Sequence, residues 1–450
     1  MKEIYDHTEG SVIQSIFRMG FPSMIGFAAL NIYDMVDMFW VAKLGAEPVA
    51  AITIFSSFYW VISAANQIAG TGSLAVISRR YGEKDHPQTE RAIKDTILLK
   101  WMLAIFFGSI GFFLIDKILV LLGARGEVLE LGIKYGKVQF LGLGFVFSTF
   151  TIYTALRGIG NPSLAMGIML GSTALNLILD PFLIFGWWIF PELGVVGAAV
   201  ASVISFTIAF LTGLLVFFSG KCNVTLHLRS QISLKAKSML KIIRIGLPTG
   251  INDISFSFAR LVIMPLVAVF GTEVVAIYGV GMRVSALGIM IIVGLGLGLS
   301  ALIGQNLGAR KLDRARQTAG QASLLAIGIM TFFGLINFIF APFIVKIFFQ
   351  DPNLVSLGAT LLRIQAIGFP LLGLYITLEM IFAGAGDNVP PMIIGIIYSW
   401  ALEIPLILVF TRVFGFNQNG VWWAIVLATF IGSSLFYYWY RKGKWIKRAV

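Results

Sequence analysis

Long apolar runs separated by short polar stretches follow one another along the whole chain of 450 residues. Each run is about 20 residues or longer, the length that an α-helix needs to cross the hydrocarbon core of a bilayer. Segments of about ten residues with alternating polarity, typical of membrane β-barrels, do not occur in the sequence. The pattern therefore predicts an all-α polytopic membrane protein. The predicted spans are 12–43, 48–76, 95–120, 128–156, 163–187, 194–219, 239–270, 274–303, 319–347, 354–383, 390–412 and 418–440.

The second half of the chain repeats the first with a constant offset. GAEPVAA at 45–51 falls on GTEVVAI at 271–277, an offset of 226 residues, and RGIGNPSLAM at 157–166 falls on AGAGDNVPPM at 383–392. Six spans in each copy give both copies the same orientation, so we expect two parallel six-helix lobes related by an axis along the membrane normal, an arrangement found in transporters. The expected domains are a first lobe, a linker and a second lobe with a basic tail, at 1–219, 220–238 and 239–450.

Charge is scarce and unevenly placed. Only 12% of the residues are charged, 58% are hydrophobic and the formal net charge is +12. Basic residues concentrate in 79–94, 220–244, 309–316 and the C-terminal tail, which fits the excess of Lys and Arg in cytoplasmic loops and does not call for a nucleic-acid partner. We therefore expect a cell-membrane protein with both termini in the cytoplasm. The N-terminus does not resemble a cleaved signal peptide, and the single cysteine, Cys222, excludes an internal disulfide.

Carboxylates inside three of the predicted spans are the strongest functional signal. Counted from the helix ends at 1.5 Å per residue, Asp37, Asp180 and Ser202 all lie about 9–12 Å below the outer surface. Tyr33 and Asn176 precede the two aspartates by four residues, and each shares a helix face with its aspartate. Because an Asp in mid-membrane costs about 2.5–3.5 kcal/mol on insertion scales, such residues usually mark ion or substrate paths.

Oxygen ligands of this kind suit a hard cation such as Na⁺, and two close carboxylates equally suit a shared proton. The repeat places Ile263, Leu402 and Leu406 at the positions of Asp37, Asn176 and Asp180, so we expect cation coupling in the first lobe only. No other cofactor is expected. Asp34 faces either the cleft or the lobe interior. Pro181 interrupts the hydrogen bonding of its helix, either as a hinge or as a packing kink.

The second lobe has charges of its own. Asp253 and Arg260 are seven residues apart on one helix face, which is consistent with an internal ion pair. Alternatively, Arg260, Arg283 and Glu403 line the cleft between the lobes and meet the substrate, as Tyr33 and Asp34 would from the first lobe. Glu379 has no assigned role. Glycine-rich stretches at 69–72 and 294–298 allow close helix approach or bending.

Several motifs together resemble the multidrug and toxic-compound extrusion (MATE) transporter family over the full chain. IYDMVDMFWVAKLG at 32–45 resembles the first-helix aspartate segment of the family, and NLILDPFLIFG at 176–186 resembles the fifth-helix motif of its DinF-like branch. IGQNLGARKLDRA at 303–315 resembles the loop after helix 8, and LRGIGNPS at 156–163 the turn after helix 4.

The resemblance implies two six-helix lobes that alternate between outward-open and inward-open forms and export organic cations and drugs on a Na⁺ or H⁺ gradient. It places cation coupling on Asp37, Asn176, Asp180 and, with Ser in place of Thr, on Ser202. We expect a monomer whose substrate is a cationic, amphipathic small molecule and whose surroundings are lipid. One alternative is a flippase for lipids or lipid-linked saccharides, which the arginines of the second lobe would favour. A membrane-embedded enzyme is not expected, because the spans contain no nucleophile–base pair and no His-rich metal motif.

Overall fold

The computed structural model describes residues 6–220, 222–227 and 236–448. In these residues, twelve helices are long and apolar enough to cross a membrane, and this confirms the predicted fold class. They are α1 (Val12–Ala42), α2 (Ala46–Gly82), α3 (His86–Leu121), α4 (Gly126–Gly158), α5 (Pro162–Phe185), α6 (Val195–Phe218), α7 (Ala236–Ala268), α8 (Thr272–Gly308), α9 (Leu312–Lys346), α10 (Pro352–Ala385), α11 (Val389–Val413) and α12 (Asn417–Arg441).

Several predicted helix ends are wrong because polar turns were taken for loops. α2 ends at Gly82 instead of 76, and α3 begins at His86 instead of 95. The start of α3 is stabilised locally, since Oδ1 of Asp85 accepts a hydrogen bond from the backbone N–H of Gln88 (3.0 Å) and Pro87 occupies the first turn. α9 likewise begins seven residues earlier than predicted, at Leu312. The helices therefore extend beyond their apolar windows.

The helices pack as two copies of one arrangement. α1 packs on α5, α3 on α4, and α4 on α6, and the same pairs recur as α7 on α11, α9 on α10, and α10 on α12. α2 and α8 begin at residues 46 and 272 and end at residues 82 and 308, so both their starts and their ends are separated by the offset of the sequence repeat. Helices α1–α6 form the first lobe and α7–α12 the second. The predicted linker, 220–238, lies partly outside the described residues.

Both ends of the described chain lie on the same face of the bundle, which we call the terminal face. Arg79 Nη1, at the end of α2, donates to the carbonyl oxygen of Arg448 (2.9 Å), and Lys311 Nζ donates to that of Thr8 (3.0 Å). The opposite face carries the short connections from α1 to α2 and from α7 to α8, and we call it the distal face. The sequence-based expectation is that the terminal face is cytoplasmic.

The two lobes meet in the terminal half of the bundle, where α1 and α2 pack against α7 and α8. Six glycines in this contact are equivalent in pairs in the repeat, and we call them the seam. A Cβ built on Gly82 would lie 2.1 Å from the carbonyl oxygen of Gln305. A Cβ built on Gly308 would lie 2.1 Å from the carbonyl oxygen of Arg79, and Arg79 and Gln305 are themselves equivalent in the repeat. Only glycine permits such backbone contact. The glycine-rich stretches therefore provide close helix approach. The seam glycines are Gly20, Gly72, Gly82, Gly246, Gly298 and Gly308.

Residues 6–11, which we call the strap, cross the terminal face from one lobe to the other. His7 Nε2 contacts the carbonyl oxygen of Gly160 in the first lobe (3.2 Å). From the second lobe, Arg314 donates to the carbonyl oxygens of His7, Glu9 and Gly10 (2.8–3.0 Å). His7 is buried, and this burial lowers the pKa of its imidazole. The strap therefore joins the lobes at the face where the seam already closes them.

Candidate functional site

The structure brings together the predicted coupling residues from three helices. Tyr33 and Asp37 of α1, Asn176 and Asp180 of α5, and Ser202 of α6 are all buried in the first lobe. The Tyr33 hydroxyl faces Ser202 and interacts electrostatically with both aspartates. Asp37 and Asp180 also interact with each other. We call these five residues the acid cluster.

The acid cluster has more oxygen acceptors than donors. Asn176 Nδ2 donates to Asp180 Oδ1 (3.0 Å), which fixes the amide and leaves its own oxygen free to accept. Four buried oxygens of the acid cluster have no hydrogen-bond partner among the described residues: the Tyr33 hydroxyl, Asp37 Oδ1, Asn176 Oδ1 and Asp180 Oδ2. Because a buried polar atom without a partner is costly, converging oxygens of this kind suit a small hard cation or a proton.

Three further polar residues approach the carboxylates, and sequence reasoning missed all of them as site residues. Tyr135 of α4 interacts electrostatically with Asp37, and Gln139, one turn further on, donates from Nε2 to the Tyr135 hydroxyl (3.1 Å). Tyr59 of α2 interacts with Asp34. The sequence could have indicated the two residues of α4, since Tyr135 and Gln139 are polar residues four apart in an otherwise apolar helix. Gln139 is also matched by Gln365 in the repeat.

Asp34 lies outside the acid cluster. It is exposed, although it belongs to the middle of α1, whereas Asp37 one turn away is 8% exposed. Its second-lobe equivalent is Arg260, and Asp253 on the corresponding helix α7 is also exposed. Asp34 and Asp253 therefore both reach the surface of the bundle. The choice between the cleft and the lobe interior for Asp34 stays a prediction.

The predicted ion pair between Asp253 and Arg260 is wrong. Arg260 Nη1 instead donates to the hydroxyl of Tyr278 on α8 (2.8 Å), and its guanidinium interacts electrostatically with Glu403 on α11. Seven residues on one helix correspond to about 10.5 Å of rise, too far for direct contact. Tyr278 in turn stacks on Trp422, with ring centroids 5.7 Å apart. Arg260 is therefore held by the wall of the second lobe.

Glu403 is 1% exposed, and both its carboxylate oxygens lack a hydrogen-bond partner among the described residues. It ends a π-helical stretch of α11, Ile397–Glu403, whose counterpart in α5 is regular α-helix. Wide turns of this kind frequently occur at functional sites. A second carboxylate, Glu379, accepts a hydrogen bond from Asn252 Nδ2 (3.2 Å) and interacts with Asp253.

The remaining predicted residues lie apart from these contacts. Arg283, on α8, is exposed. Pro181 is buried four residues before the end of α5, which continues as α-helix to Phe185, so the hinge stays a prediction.

Two parallel six-helix repeats in one chain are an arrangement found in membrane transporters. The MatE family model matches residues 22–182 and 248–409, once in each lobe and in the register of the repeat. The chain therefore belongs to the MatE family of membrane transporters, and it is not an enzyme.

Known members resemble the chain over nearly its whole length. It is 26% identical over 444 residues to the "Probable multidrug resistance protein YoeA" of Bacillus subtilis (98% of this chain, 96% of that one). It is 28% identical over 430 residues to the "Multidrug export protein MepA" of Staphylococcus aureus (95% and 93%). Among solved structures, an outward-facing multidrug resistance MATE transporter of the MOP superfamily matches with a TM-score of 0.89 at 25% identity, covering 98% of each chain.

Proposed function

We propose that the chain is a cation-coupled antiporter that exports amphipathic organic cations, including drugs, by alternating access. The single observation that carries the proposal is the acid cluster, where two buried aspartates and an amide on the neighbouring helices α1 and α5 present unpartnered oxygens. The second lobe repeats the scaffold but has Ile263, Leu402 and Leu406 at the corresponding positions. A requirement of the fold would have kept the acids in both lobes, so their presence in one lobe supports a role in transport.

In the form open at the distal face, the acid cluster takes up H⁺ or Na⁺ from the cleft. The exposed Asp34, one turn from Asp37, attracts cations to the entrance. Uptake removes the repulsion between Asp37 and Asp180, because a proton neutralises one carboxylate and a bound Na⁺ balances one charge. The first lobe then repacks around a less charged interior, and this repacking expels a cationic substrate from the cleft.

The return half of the cycle requires the seam to open. The lobes rock about their contact until the cleft faces the terminal side, where the acid cluster releases its cation and a new substrate enters. Substrate and coupling cation compete for negative charge in the same lobe, which makes the exchange obligatory. A symporter, which moves substrate and coupling cation in the same direction, would not require the two to compete.

The walls of the cleft favour a cationic, amphipathic substrate. Asp34 and Asp253 place exposed carboxylates in the two lobes, and Tyr59 adds an aromatic ring beside Asp34. Aromatic faces attract organic cations as well as apolar groups. We place the protein in the cell membrane as a monomer, with the terminal face in the cytoplasm, because Lys and Arg concentrate on that side.

The test is dye efflux from proteoliposomes or inverted vesicles, with a pH gradient and a Na⁺ gradient imposed separately. We expect one gradient to drive transport in the wild type, and Asp37→Asn and Asp180→Asn each to reduce it at least about tenfold, since each removes a group that the coupling cation needs. The matched control is Asp313→Asn, whose side chain is 98% exposed in a surface ion pair, and this variant should transport like the wild type.

Two outcomes contradict the proposal. If Asp37→Asn and Asp180→Asn transport like the wild type under both gradients, the acid cluster is structural. If the wild type moves no dye under either gradient while lipid probes cross the bilayer, the flippase alternative is correct. That alternative is not favoured, because Arg260 is engaged by Tyr278 and Glu403 and is not available as a phosphate clamp.

A further inference from the structure

A pair of buried cations lies in the first lobe, away from the acid cluster. Lys100 of α3 is 1% exposed and Arg157, the second-last residue of α4, is 5% exposed. The two side chains interact electrostatically with each other. Two like charges buried side by side inside a membrane lobe repel each other and lose their hydration, so an opposite charge is needed to balance them.

No carboxylate of the described residues supplies that balance. Neither Lys100 nor Arg157 forms a salt bridge within them, and Arg157 Nε is buried without a hydrogen-bond partner there. The acid nearest to Lys100 in sequence, Asp95, interacts instead with Arg91 and Ser238. The phenol of Tyr153 lies beside the guanidinium and faces Ser172. The ammonium of Lys100 and the guanidinium of Arg157 therefore lie close together without a negatively charged acceptor among the described residues.

The acid cluster does not neutralise the pair either, because aromatic rings lie between them. Phe206 contacts Tyr33 on one side and Phe150 on the other, with centroids 5.4 Å and 6.1 Å apart. Phe150 contacts Tyr153 in turn, at 6.0 Å. This apolar layer separates the carboxylates from the cations within the same lobe.

On the side of Lys100 that faces α2 there is little side-chain bulk. α2 passes it at Gly70, where a Cβ would lie 3.9 Å from Lys100 Nζ and 3.9 Å from Gln67 Oε1, with no closer neighbour. Beside the ammonium group, α2 therefore presents the Gly70 backbone and the neutral amide oxygen of Gln67, and no charged group.

We propose that Lys100 and Arg157 bind a small monovalent anion such as chloride where α2, α3 and α4 meet. Such an anion accepts from the ammonium and the guanidinium at once and removes their repulsion. The second lobe has Ala326 and Ala383 at the equivalent positions, so the shared scaffold does not require the charges. The site is distinct from the acid cluster and does not depend on the transported substrate.

The test is thermal unfolding of the purified full-length protein in potassium chloride against potassium gluconate at constant ionic strength, which leaves Na⁺ out. The wild type should show a saturable rise in Tm of roughly 2 °C or more with chloride. Lys100→Met should abolish the rise and should be at least as stable as the wild type in gluconate, because one of two repelling charges is gone. Lys100→Arg should keep the rise. The control is Lys117→Met, an exposed lysine on the same helix, which should respond like the wild type.

A direct measurement does not depend on any variant. In crystals grown with bromide, an anomalous peak should lie between Lys100 and Arg157. The proposal is overturned if no peak is present there, or if wild type and Lys100→Met respond to chloride alike. Either result would mean that Lys100 and Arg157 do not bind an anion.

Discussion

Substituting Gly72 by alanine should shift the protein away from the form open at the distal face. A Cβ at this position would lie 2.0 Å from the carbonyl oxygen of Ile242 and 2.8 Å from its carbonyl carbon. Ordinary contact begins near 3.4 Å, so α2 and α7 must separate by about 1.4 Å along this line. The contact is with backbone, which cannot move aside by changing a rotamer. Opening of the seam at the terminal face relieves the clash.

The expected size follows from the cost of overpacking. Inserting a methyl group into a well-packed contact costs about 1–3 kcal/mol. If the form open at the terminal face is free of this clash, the whole cost appears as a change in the equilibrium between the two forms. That is roughly a 5- to 150-fold change in their population ratio.

The assay is the distance between spin labels at Glu47 and Glu273 on the distal face, in a Cys222→Ser background. These exposed residues are equivalent in the repeat and lie at the starts of α2 and α8, one in each lobe. Gly72→Ala should move the distribution toward shorter distances, since the distal side closes as the seam opens. Measurements in lipid nanodiscs keep the membrane surroundings.

The matched control is Gly167→Ala on α5, where a Cβ would meet nothing within 4 Å. It makes the same chemical change inside a helix without the clash, so its distance distribution should be that of the wild type. If Gly72→Ala also leaves the distribution unchanged, the seam is not the contact about which the lobes move.

Three further predictions concern the strap, the second lobe and the acid cluster. Burial lowers the pKa of His7 from its ordinary 6.5, so neutral His7 contributes its full stability above that value and loses it as the pH falls through the lower folded pKa. The protection factors of the amides in 8–11, which correct for the intrinsic exchange rate, should therefore fall as the pH is lowered below 6.5, and unchanged protection factors would contradict this. Trp422→Ala should lower the free energy of unfolding by about 3–5 kcal/mol, because a fully buried ring stacked on Tyr278 is lost, whereas a loss below about 1 kcal/mol would show that the ring adds little. Asp180→Asn keeps an acceptor for Asn176 and removes a buried charge, so Tm should stay the same or rise; a fall of several degrees would mean that the carboxylate has a structural role.

The first-lobe site could be anticipated from sequence because it depends on distances along single helices. Four-residue spacing places Tyr33 beside Asp37 and Asn176 beside Asp180, and a fixed rise per residue gives each aspartate its depth. Helices that share a level and a lobe then bring these groups together. The structure shows this convergence, since Tyr33, Asp37, Asn176, Asp180 and Ser202 are all buried in the first lobe and the two aspartates interact with each other.

Contacts that depend on the rotation of one helix against another could not be anticipated in the same way. The period of α4 places Tyr135 and Gln139 on one face, but nothing in that period says that the face meets α1. Arg260 shows the same limit, since its long side chain reaches Tyr278 on another helix instead of Asp253 on its own. The predicted helix ends were wrong for a different reason, because cap residues such as Asp85 allow a helix to extend into polar sequence.

The seam has a consequence for how the protein tolerates mutation. Any amino-acid change at a glycine adds a side chain, and at these six positions the added atom meets another helix, in most cases its main chain. Few substitutions at neighbouring residues could therefore make room for the added side chain. In a saturation-mutagenesis screen for drug resistance, the seam should be as intolerant as the acid cluster although it binds nothing. Intolerance at these positions would reflect the close packing of the two lobes against each other. It would not identify residues that bind the substrate.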